Sequence, residues 1–324
     1  MGSSRPYVRR ASSAMTVKQR FSMGNRQSFE AARQQRQVGT TTQIVMLGTG
    51  APGPDPVRSG PATAIVVNGT PYLVDFGPGV VRRAAAAYQN GVVAFGAGVN
   101  NLQTVFLTHL HADHTAGYPD LILTPWIMGR KAPLEVYGPK GIKAMTKHVL
   151  KAWELDIANR VDGMERGAPS GCRVNAHEID AGPIYTDANI RVTAFPVNHG
   201  EMDNAFGFRF ETADKTIVIS GDTAPTAAIV QNCNGCDVLI HEAYSQQTYG
   251  RVSRKWQAYR RKYHTSSKEL AELARRANPG LLVLYHRANP GGGIAVPNPE
   301  DVLLDEIRQL YKGTVVTGHD LDVF

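Results

Sequence analysis

Cysteine is scarce in this 324-residue chain, which contains only Cys172, Cys233 and Cys236. Three cysteines cannot form a closed disulfide framework, and one C-x-x-C pair lacks the second pair of a four-cysteine zinc site. Free cysteine is commonly buried, so we expect Cys233 and Cys236 to be small buried or capping thiols, with a redox role as the alternative. With 42% apolar residues, the fold is expected to depend on a sizeable hydrophobic core.

Long apolar runs are also missing. No segment approaches the roughly 18 apolar residues of a transmembrane helix, and the apolar stretch 121–128 is short and contains Pro125. We therefore expect no membrane span. No secretory apolar segment is visible either, which predicts a cytoplasmic protein for the sequence as given, unless an export signal has been replaced.

Acidic residues are nearly absent from residues 1–42, where Glu30 is the single anion among eight cations. This segment is rich in Ser, Gln and Arg, and we predict a disordered basic tail. Its start, Met1-Gly2-Ser3-Ser4, is also typical of an expression leader. The whole chain carries +7, so residues 43–324 hold 27 cations and 27 anions. Without a net positive field in that part, nucleic acid is not expected as a partner.

From Gln43 onward, apolar runs alternate with turn signals and amphipathic stretches, which indicates one α/β domain over residues 43–324. Strand-rich blocks interleaved with helices in two successive halves suggest two packed sheets with helices outside, an αββα sandwich. Strands are predicted at 44–47, 64–67, 72–75, 105–107, 134–137, 174–179, 190–195, 206–210, 216–220, 238–240 and 281–285. Helices are predicted at 80–88, 142–153, 267–277 and 300–311.

The segment Thr108-His109-Leu110-His111-Ala112-Asp113-His114 places four metal-ligand side chains directly after an apolar strand. His109 and His111 are two residues apart, so in an extended chain both imidazoles point to one side. One loop can thus serve two adjacent metal ions. The alternative is a polar surface loop that is rich in histidine.

Hydrolytic zinc needs at least three protein ligands and an open position for water, so this loop is incomplete by itself. His199, Asp222 and His286 each follow a predicted strand. Strand ends at one edge of a sandwich converge in space, which makes these residues candidates for the missing ligands.

The pattern H-x-H-x-D-H, followed by single His, Asp and His positions, resembles the metallo-β-lactamase superfamily over residues 43–324. Four further segments are similar to its ribonuclease Z and arylsulfatase-like branch. They are Tyr137-Gly138-Pro139-Lys140-Gly141, Ser220-Gly221-Asp222-Thr223, His241-Glu242-Ala243 and His264-Thr265-Ser266. The resemblance implies the four-layer αββα metallo-β-lactamase fold.

The resemblance also implies a hydrolase with two metal ions, for which zinc is expected and manganese or iron also fit. A hydroxide between two cations is a nucleophile at neutral pH and would attack an ester. The implied ligands are His109, His111 and His199 for one ion, Asp113, His114 and His286 for the other, and Asp222 between them.

Family likeness further assigns His264 as a general acid whose ring Glu242 orients, and Asp113 as a proton acceptor besides its ligand role. From the residues alone, His264 would be a polar residue beside a helix cap. Asp75 resembles a residue that braces a ligand histidine, and a strand-ending turn aspartate is the equal alternative. The other four histidines, His148, His177, His241 and His319, are expected to be structural.

The branch leaves the substrate open. Short ribonuclease Z enzymes carry a long RNA-gripping arm before the S-G-D-T segment, and here only residues 211–215 are available. We therefore expect a small-molecule ester hydrolase acting on aryl sulfates or phosphodiesters. Alternatives are a ribonuclease Z-like RNA endonuclease, a β-lactamase or lactonase activity, and a non-catalytic binding module. A homodimer is compatible with each.

Overall fold

The computed structural model describes residues 42–286 and 299–324. The predicted tail therefore lies outside the described residues, except for Thr42. Two sheets hold the thirteen strands of this part, in the orders β1-β2-β3-β4-β5-β6 and β13-β12-β11-β10-β9-β8-β7. The strands are β1 (Thr42–Gly48), β2 (Ala62–Val67), β3 (Thr70–Val74), β4 (Thr104–Phe106), β5 (Leu134–Gly138), β6 (Val174–Glu178), β7 (Gly182–Thr186), β8 (Arg191–Pro196), β9 (Phe206–Glu211), β10 (Thr216–Ile219), β11 (Val238–Glu242), β12 (Leu281–Tyr285) and β13 (Val315–Thr317).

Ten α-helices connect and cover these strands in the described ranges, besides two 3-10 turns at Val93–Phe95 and Ala97–Val99. The helices are α1 (Val80–Gln89), α2 (Ala112–Thr115), α3 (Tyr118–Ile127), α4 (Ile142–Ala152), α5 (Glu154–Asp162), α6 (Ala227–Cys233), α7 (Gln246–Tyr249), α8 (Arg254–Tyr263), α9 (Ser267–Ala277) and α10 (Pro299–Leu310). None of these helices has the length and apolarity to cross a bilayer.

Three apolar clusters separate four layers, because strands buried on both faces send alternate side chains to opposite sides. In β1, Ile44 and Met46 enter the cluster between the sheets, whereas Val45 and Leu47 pack under the outer helices. A third cluster lies between the second sheet and helices α6, α9 and α10. The predicted αββα sandwich is confirmed.

Parallel strands bring the functional loops to one edge. Strands β10, β11 and β12 pair in parallel, and β8 has the same direction because two antiparallel pairings separate it from β10. In the other sheet, β4 is parallel to β3 and β5. The loops that follow β4, β8, β10 and β12 meet, since His and Asp side chains from all four lie together.

Cys233 and Cys236 differ from the sequence expectation, because they form a disulfide rather than two thiols. Asn234 and Gly235 have positive φ values of 38° and 83°, so the chain turns sharply after α6. The turn brings the two cysteine Cα atoms to 4.7 Å, within the range that a disulfide bridges. Cys172 is a buried free thiol.

Candidate metal centre

The histidine-rich loop begins where β4 ends. The backbone N–H and the hydroxyl of Thr108 both donate to the Asp75 carboxylate, at 2.8 and 3.0 Å from Oδ1, which fixes the first turn of the loop. His111 remains extended and forms the N-cap of the short helix α2, which carries Asp113 and His114. The first half of the loop is extended and the second half is helical. The four ligand side chains therefore point in two directions.

His109, His111 and His199 form one group of ring nitrogens. The Nδ1 atom of His111 lies 3.1 Å from Nε2 of His109 and 3.1 Å from Nε2 of His199. Nitrogens that share a tetrahedral zinc at 2.0–2.1 Å lie about 3.4 Å apart. The three rings therefore have the spacing of ligands around one ion.

Asp113, His114, Asp222 and His286 form a second group. The Nε2 atom of His286 lies 3.1 Å from a carboxylate oxygen of Asp113 and 3.1 Å from one of Asp222. His114 Nε2 lies 3.6 Å from Asp113 and 3.5 Å from Asp222. Asp222 Oδ2 is also 4.0 Å from His199 Nε2, so this carboxylate lies between the two groups.

Hydrogen bonds behind the rings fix which nitrogen faces the cluster. His199 Nδ1 donates to the carbonyl oxygen of Tyr263 at 2.9 Å, and His114 Nδ1 donates to Asp75 at 2.8 Å. Both rings therefore present Nε2 to the centre, as a metal-ligand histidine does. Asp75 is buried and braces the loop, which matches the first of the two interpretations of this residue.

Burial favours the neutral form of most of the ligand histidines, and the neutral form is the one that binds a metal ion. Desolvation and the neighbouring His114 lower the pKa of His109 well below its usual range. Desolvation likewise lowers the pKa of His199 to about 4. His114 is the exception: burial opposes its charge, yet Asp222 and Asp75 raise its pKa well above the ordinary value. Three carboxylates, the buried Asp75 and Asp222 and the 9% exposed Asp113, thus surround His114 and favour its positive charge.

Two buried polar atoms support a cation at this position. Within the described part of the chain, His114 Nε2 and Asp222 Oδ1 have no hydrogen-bond partner. A buried polar atom without a partner costs free energy of about 1–3 kcal/mol, more when it is charged. A divalent ion between the two atoms would satisfy both, so the donor set fits a metal.

His264 and Glu242 lie at the rim of the two groups. His264 Nδ1 is 3.0 Å from Glu242 Oε1, and the same carboxylate oxygen accepts the Thr223 backbone N–H at 3.1 Å. Burial opposes a charge on His264, but the Glu242 carboxylate raises its pKa to about 9. The raised pKa favours the protonated ring at neutral pH.

Two residues that hold these groups from behind leave no signal in the sequence. Thr108 and the Tyr263 carbonyl act through hydrogen bonds that no composition or spacing predicts. Of the remaining histidines, His177 pairs with Glu135 and His241 bonds the Glu242 carbonyl. None of the four remaining histidines belongs to the metal-ligand clusters found among the described residues.

A cavity of about 760 Å³ opens beside Asp113. The loop 51–60 and the start of α1 form its walls, with Arg58 and Arg83 among the lining residues. Both arginines are held by carboxylates, Arg58 by Glu300 and Arg83 by Asp320. Asp113 lines this cavity, so the second ligand group borders it at that carboxylate.

Comparisons with known proteins agree with this geometry. Residues 70–287 match the family model of the beta-lactamase superfamily domain. The chain is similar to ribonuclease Z of Mycobacterium bovis, with 32% identity over 282 residues that cover 86% of this chain and 96% of the relative. Ribonuclease Z of Mycobacterium sp. strain KMS is 35% identical over 251 residues, covering 76% and 85%.

The fold is shared with the metallo-beta-lactamase fold protein YhfI from Bacillus subtilis, with a TM-score of 0.65, 17% identity and coverage of 88% of this chain and 100% of that one.

The relatives correct one expectation. They are ribonucleases, so the prediction that nucleic acid is not a partner is wrong. It failed because a charge count over residues 43–324 averages over local surfaces: α8 alone holds five cations and no acidic residue. The short turn between β9 and β10 leaves no room for an RNA-gripping arm at that position. RNA can still bind at other surfaces of the protein.

Proposed function

This chain belongs to the ribonuclease Z branch of the metallo-β-lactamase superfamily and is a metal-dependent hydrolase, and from that membership we propose that it cleaves phosphodiester bonds in RNA. The observation that carries the proposal is the pair of adjacent ligand groups with Asp222 between them, beside His264, in a chain one third identical to ribonuclease Z over most of its length. An RNA endonuclease needs a centre that binds the phosphate and a group that protonates the leaving oxygen. The ligand groups and His264 lie close enough to act on the same phosphodiester.

We assign seven side chains to a dinuclear site that is expected to hold zinc. Two metal ions stabilise the charge that develops on a phosphate and activate a water molecule at neutral pH. His109, His111 and His199 would hold one ion and Asp113, His114 and His286 the other, with Asp222 lying between the two groups.

The proton steps follow from two side chains. Asp113 is held as a carboxylate, because the hydrogen bond from His286 and the charge of His114 lower its pKa although burial opposes this. It can therefore accept a proton from the attacking water. His264 carries a proton at neutral pH and can give it to the leaving oxygen when the phosphorus–oxygen bond breaks. Glu242 orients the ring and stabilises its cation.

The test uses the purified full chain with added zinc or manganese, a transfer RNA precursor and a labelled single-stranded RNA. We expect discrete cleavage products that disappear with Asp222→Ala. His148→Ala is the matched control, since His148 is an exposed histidine on α4 outside the ligand groups, and it should cleave normally. RNA that stays intact while the protein holds its metal would refute the proposal.

A second candidate is hydrolysis of small aryl phosphodiesters or aryl sulfates. It is favoured by one observation, the short connection between β9 and β10, where residues 212–215 leave no room for an RNA-gripping arm. A reporter such as bis(p-nitrophenyl) phosphate separates the candidates. Rapid turnover of the reporter together with intact RNA would favour the small-ester function.

A further inference from the structure

Helix α8 is the most basic surface element near the candidate metal centre. Its ten residues, Arg254–Tyr263, contain five cations and no acid. Arg254, Lys255, Arg261 and Lys262 are exposed, whereas Arg260 is buried with its guanidinium 5.7 Å from the centre of the Tyr244 ring. The helix is thus anchored on one face and presents positive charge on the other.

The pairing of these cations leaves part of the charge available. Among the residues that the structure describes, the ion pair of this helix is Lys262 with Glu201, and Arg261 contacts the Tyr249 hydroxyl and lies over its ring. Arg254 and Lys255 have no carboxylate partner in the same described ranges. Such unneutralised cations on a surface favour a polyanion.

Aromatic rings connect this basic surface to the proposed proton donor. Trp256 is 55% exposed and Tyr259 is 37% exposed, and their ring centres lie 5.3 Å apart. Tyr259 in turn stacks on Tyr263 at 4.4 Å and lies 5.7 Å from His264. Tyr263 packs against His199 at 5.2 Å. The row of rings therefore starts in solvent and ends at the metal-ligand cluster.

The flat face of the exposed Trp256 ring matches a nucleobase, and the cations beside it match a phosphate backbone. Single-stranded nucleic acid is bound by this combination of positive charge along the backbone and aromatic rings under the bases. A protein partner would be expected to bring carboxylates for the cations but has no repeated flat rings for the aromatic row. The positive charge and the aromatic rings of α8 together favour RNA as the ligand of this surface.

We propose that α8 is the RNA-binding platform of this enzyme, which stacks bases on Trp256 and Tyr259, binds backbone phosphates through Arg254 and Lys255, and leads the next phosphodiester to His264. This inference rests on the RNA-cleaving function proposed above and names the surface that replaces the absent arm between β9 and β10.

The test measures binding separately from cleavage. The full chain is treated with EDTA so that RNA is not cut, and the dissociation constant of a fluorescent single-stranded RNA is measured by anisotropy. Trp256→Ala and Tyr259→Ala should each weaken binding about 5- to 100-fold. The matched control is Trp153→Ala, a tryptophan with 44% exposure outside α8, which should bind as the parent chain does.

Two further measurements separate the contribution of base stacking to RNA binding from the contribution of charge. An abasic strand of the same length has no bases to stack, so its weaker binding should not respond to Trp256→Ala. The double variant Arg254→Gln/Lys255→Gln should reduce the slope of log K against log salt by about 1.4 in magnitude. Lys143→Gln/Lys147→Gln, two exposed cations on α4, should leave that slope unchanged.

The outcomes distinguish this inference from the function on which it rests. If the α8 variants bind RNA as tightly as Trp153→Ala does, the platform is refuted, even when the parent chain with metal cuts RNA. An equal loss on the abasic strand would also refute base stacking. If the variants lose binding but the metal-loaded parent chain leaves RNA intact, the platform stands and the cleavage function fails.

Discussion

Nδ1 of His114 donates to Oδ2 of Asp75 across 2.8 Å, inside a site where both side chains are buried. The same carboxylate accepts the backbone N–H of Thr108, so one residue fixes both a ligand ring and the start of its loop. Asp75 has a positive φ of 61°, and this strained backbone is held in place by those hydrogen bonds.

Replacing Asp75 with Asn should therefore weaken metal binding. An amide keeps the size but removes the charge that orients His114, and loss of such outer partners typically costs about 10- to 100-fold in metal affinity. Competition with a chromogenic chelator measures the change. Asp320→Asn is the control: the Asp320 side chain is 4% exposed and accepts the backbone N–H groups of Thr49 and Ser59, and it belongs to none of the metal-ligand clusters of the described residues. Equal affinity in Asp75→Asn and the parent chain would contradict the bracing role.

Removal of metal should lower the thermal stability. The carboxylates Asp113 and Asp222 are buried beside His114, and a bound cation compensates their charge only in the folded state. Metal at 100 times its dissociation constant stabilises the fold by about 2.7 kcal/mol. That corresponds to a rise in Tm of about 5 °C over the EDTA-treated protein, measured by differential scanning fluorimetry. His109→Gln should reduce this rise, and an unchanged Tm on adding zinc would argue against the site.

The activity should depend on pH through His264. Its protonated form gives the proton to the leaving oxygen, and its pKa is raised to about 9, so kcat/KM should fall as the pH rises through that value. Glu242 is the partner that raises the pKa, at 3.0 Å. Glu242→Gln should therefore move the basic limb of the profile to lower pH, because the imidazolium loses its counter-charge. A basic limb that does not move would show that another group titrates there.

His264→Ala should lower kcat most for substrates with poor leaving groups. General acid catalysis typically contributes about 10²–10⁴-fold. An RNA alkoxide needs the proton, whereas p-nitrophenolate leaves without it, so the loss on RNA should exceed the loss on bis(p-nitrophenyl) phosphate. Both rates are compared in the same preparation. Equal losses on the two substrates would instead indicate that His264 supports the metal cluster, whose His199 ring lies 5.4 Å away.

The candidate ligands could be located in the sequence because each of them follows the end of an apolar strand. The H-x-H-x-D-H segment follows β4 directly, and His199, Asp222 and His286 follow the ends of β8, β10 and β12. Apolar strands have a strong pattern, and parallel strands carry their following loops to one edge. The same alternation only suggested the αββα layers, which the resemblance to the metallo-β-lactamase superfamily then specified, and the boundaries of α9 and β12 are as predicted.

Helix α8 could not be predicted in this way. Of its ten residues only Arg260 is buried, so the sequence has no apolar stripe of helical period. Its helix depends on the Ser253 cap and on tertiary contacts, including the position of Arg260 over Tyr244. Strand β13 was missed as well, because three residues, Val315–Thr317, give too short a pattern. Both cases show tertiary contacts deciding what local sequence leaves open.

The Cys233–Cys236 disulfide should stabilise the fold without serving the reaction. It closes a turn with a sequence separation of only three residues, packed in the cluster under α6 and α9. For so short a loop, the entropy model gives a contribution of about 2 kcal/mol. The double variant Cys233→Ser/Cys236→Ser should therefore unfold at lower urea concentration than the parent chain, with hydrolysis of RNA retained at 25 °C. Cys172→Ser, which removes the free thiol, separates loss of a cross-link from loss of a buried sulfur. If reducing agent left the urea midpoint of the parent chain unchanged and abolished cleavage instead, the pair would belong to the chemistry and not to the scaffold.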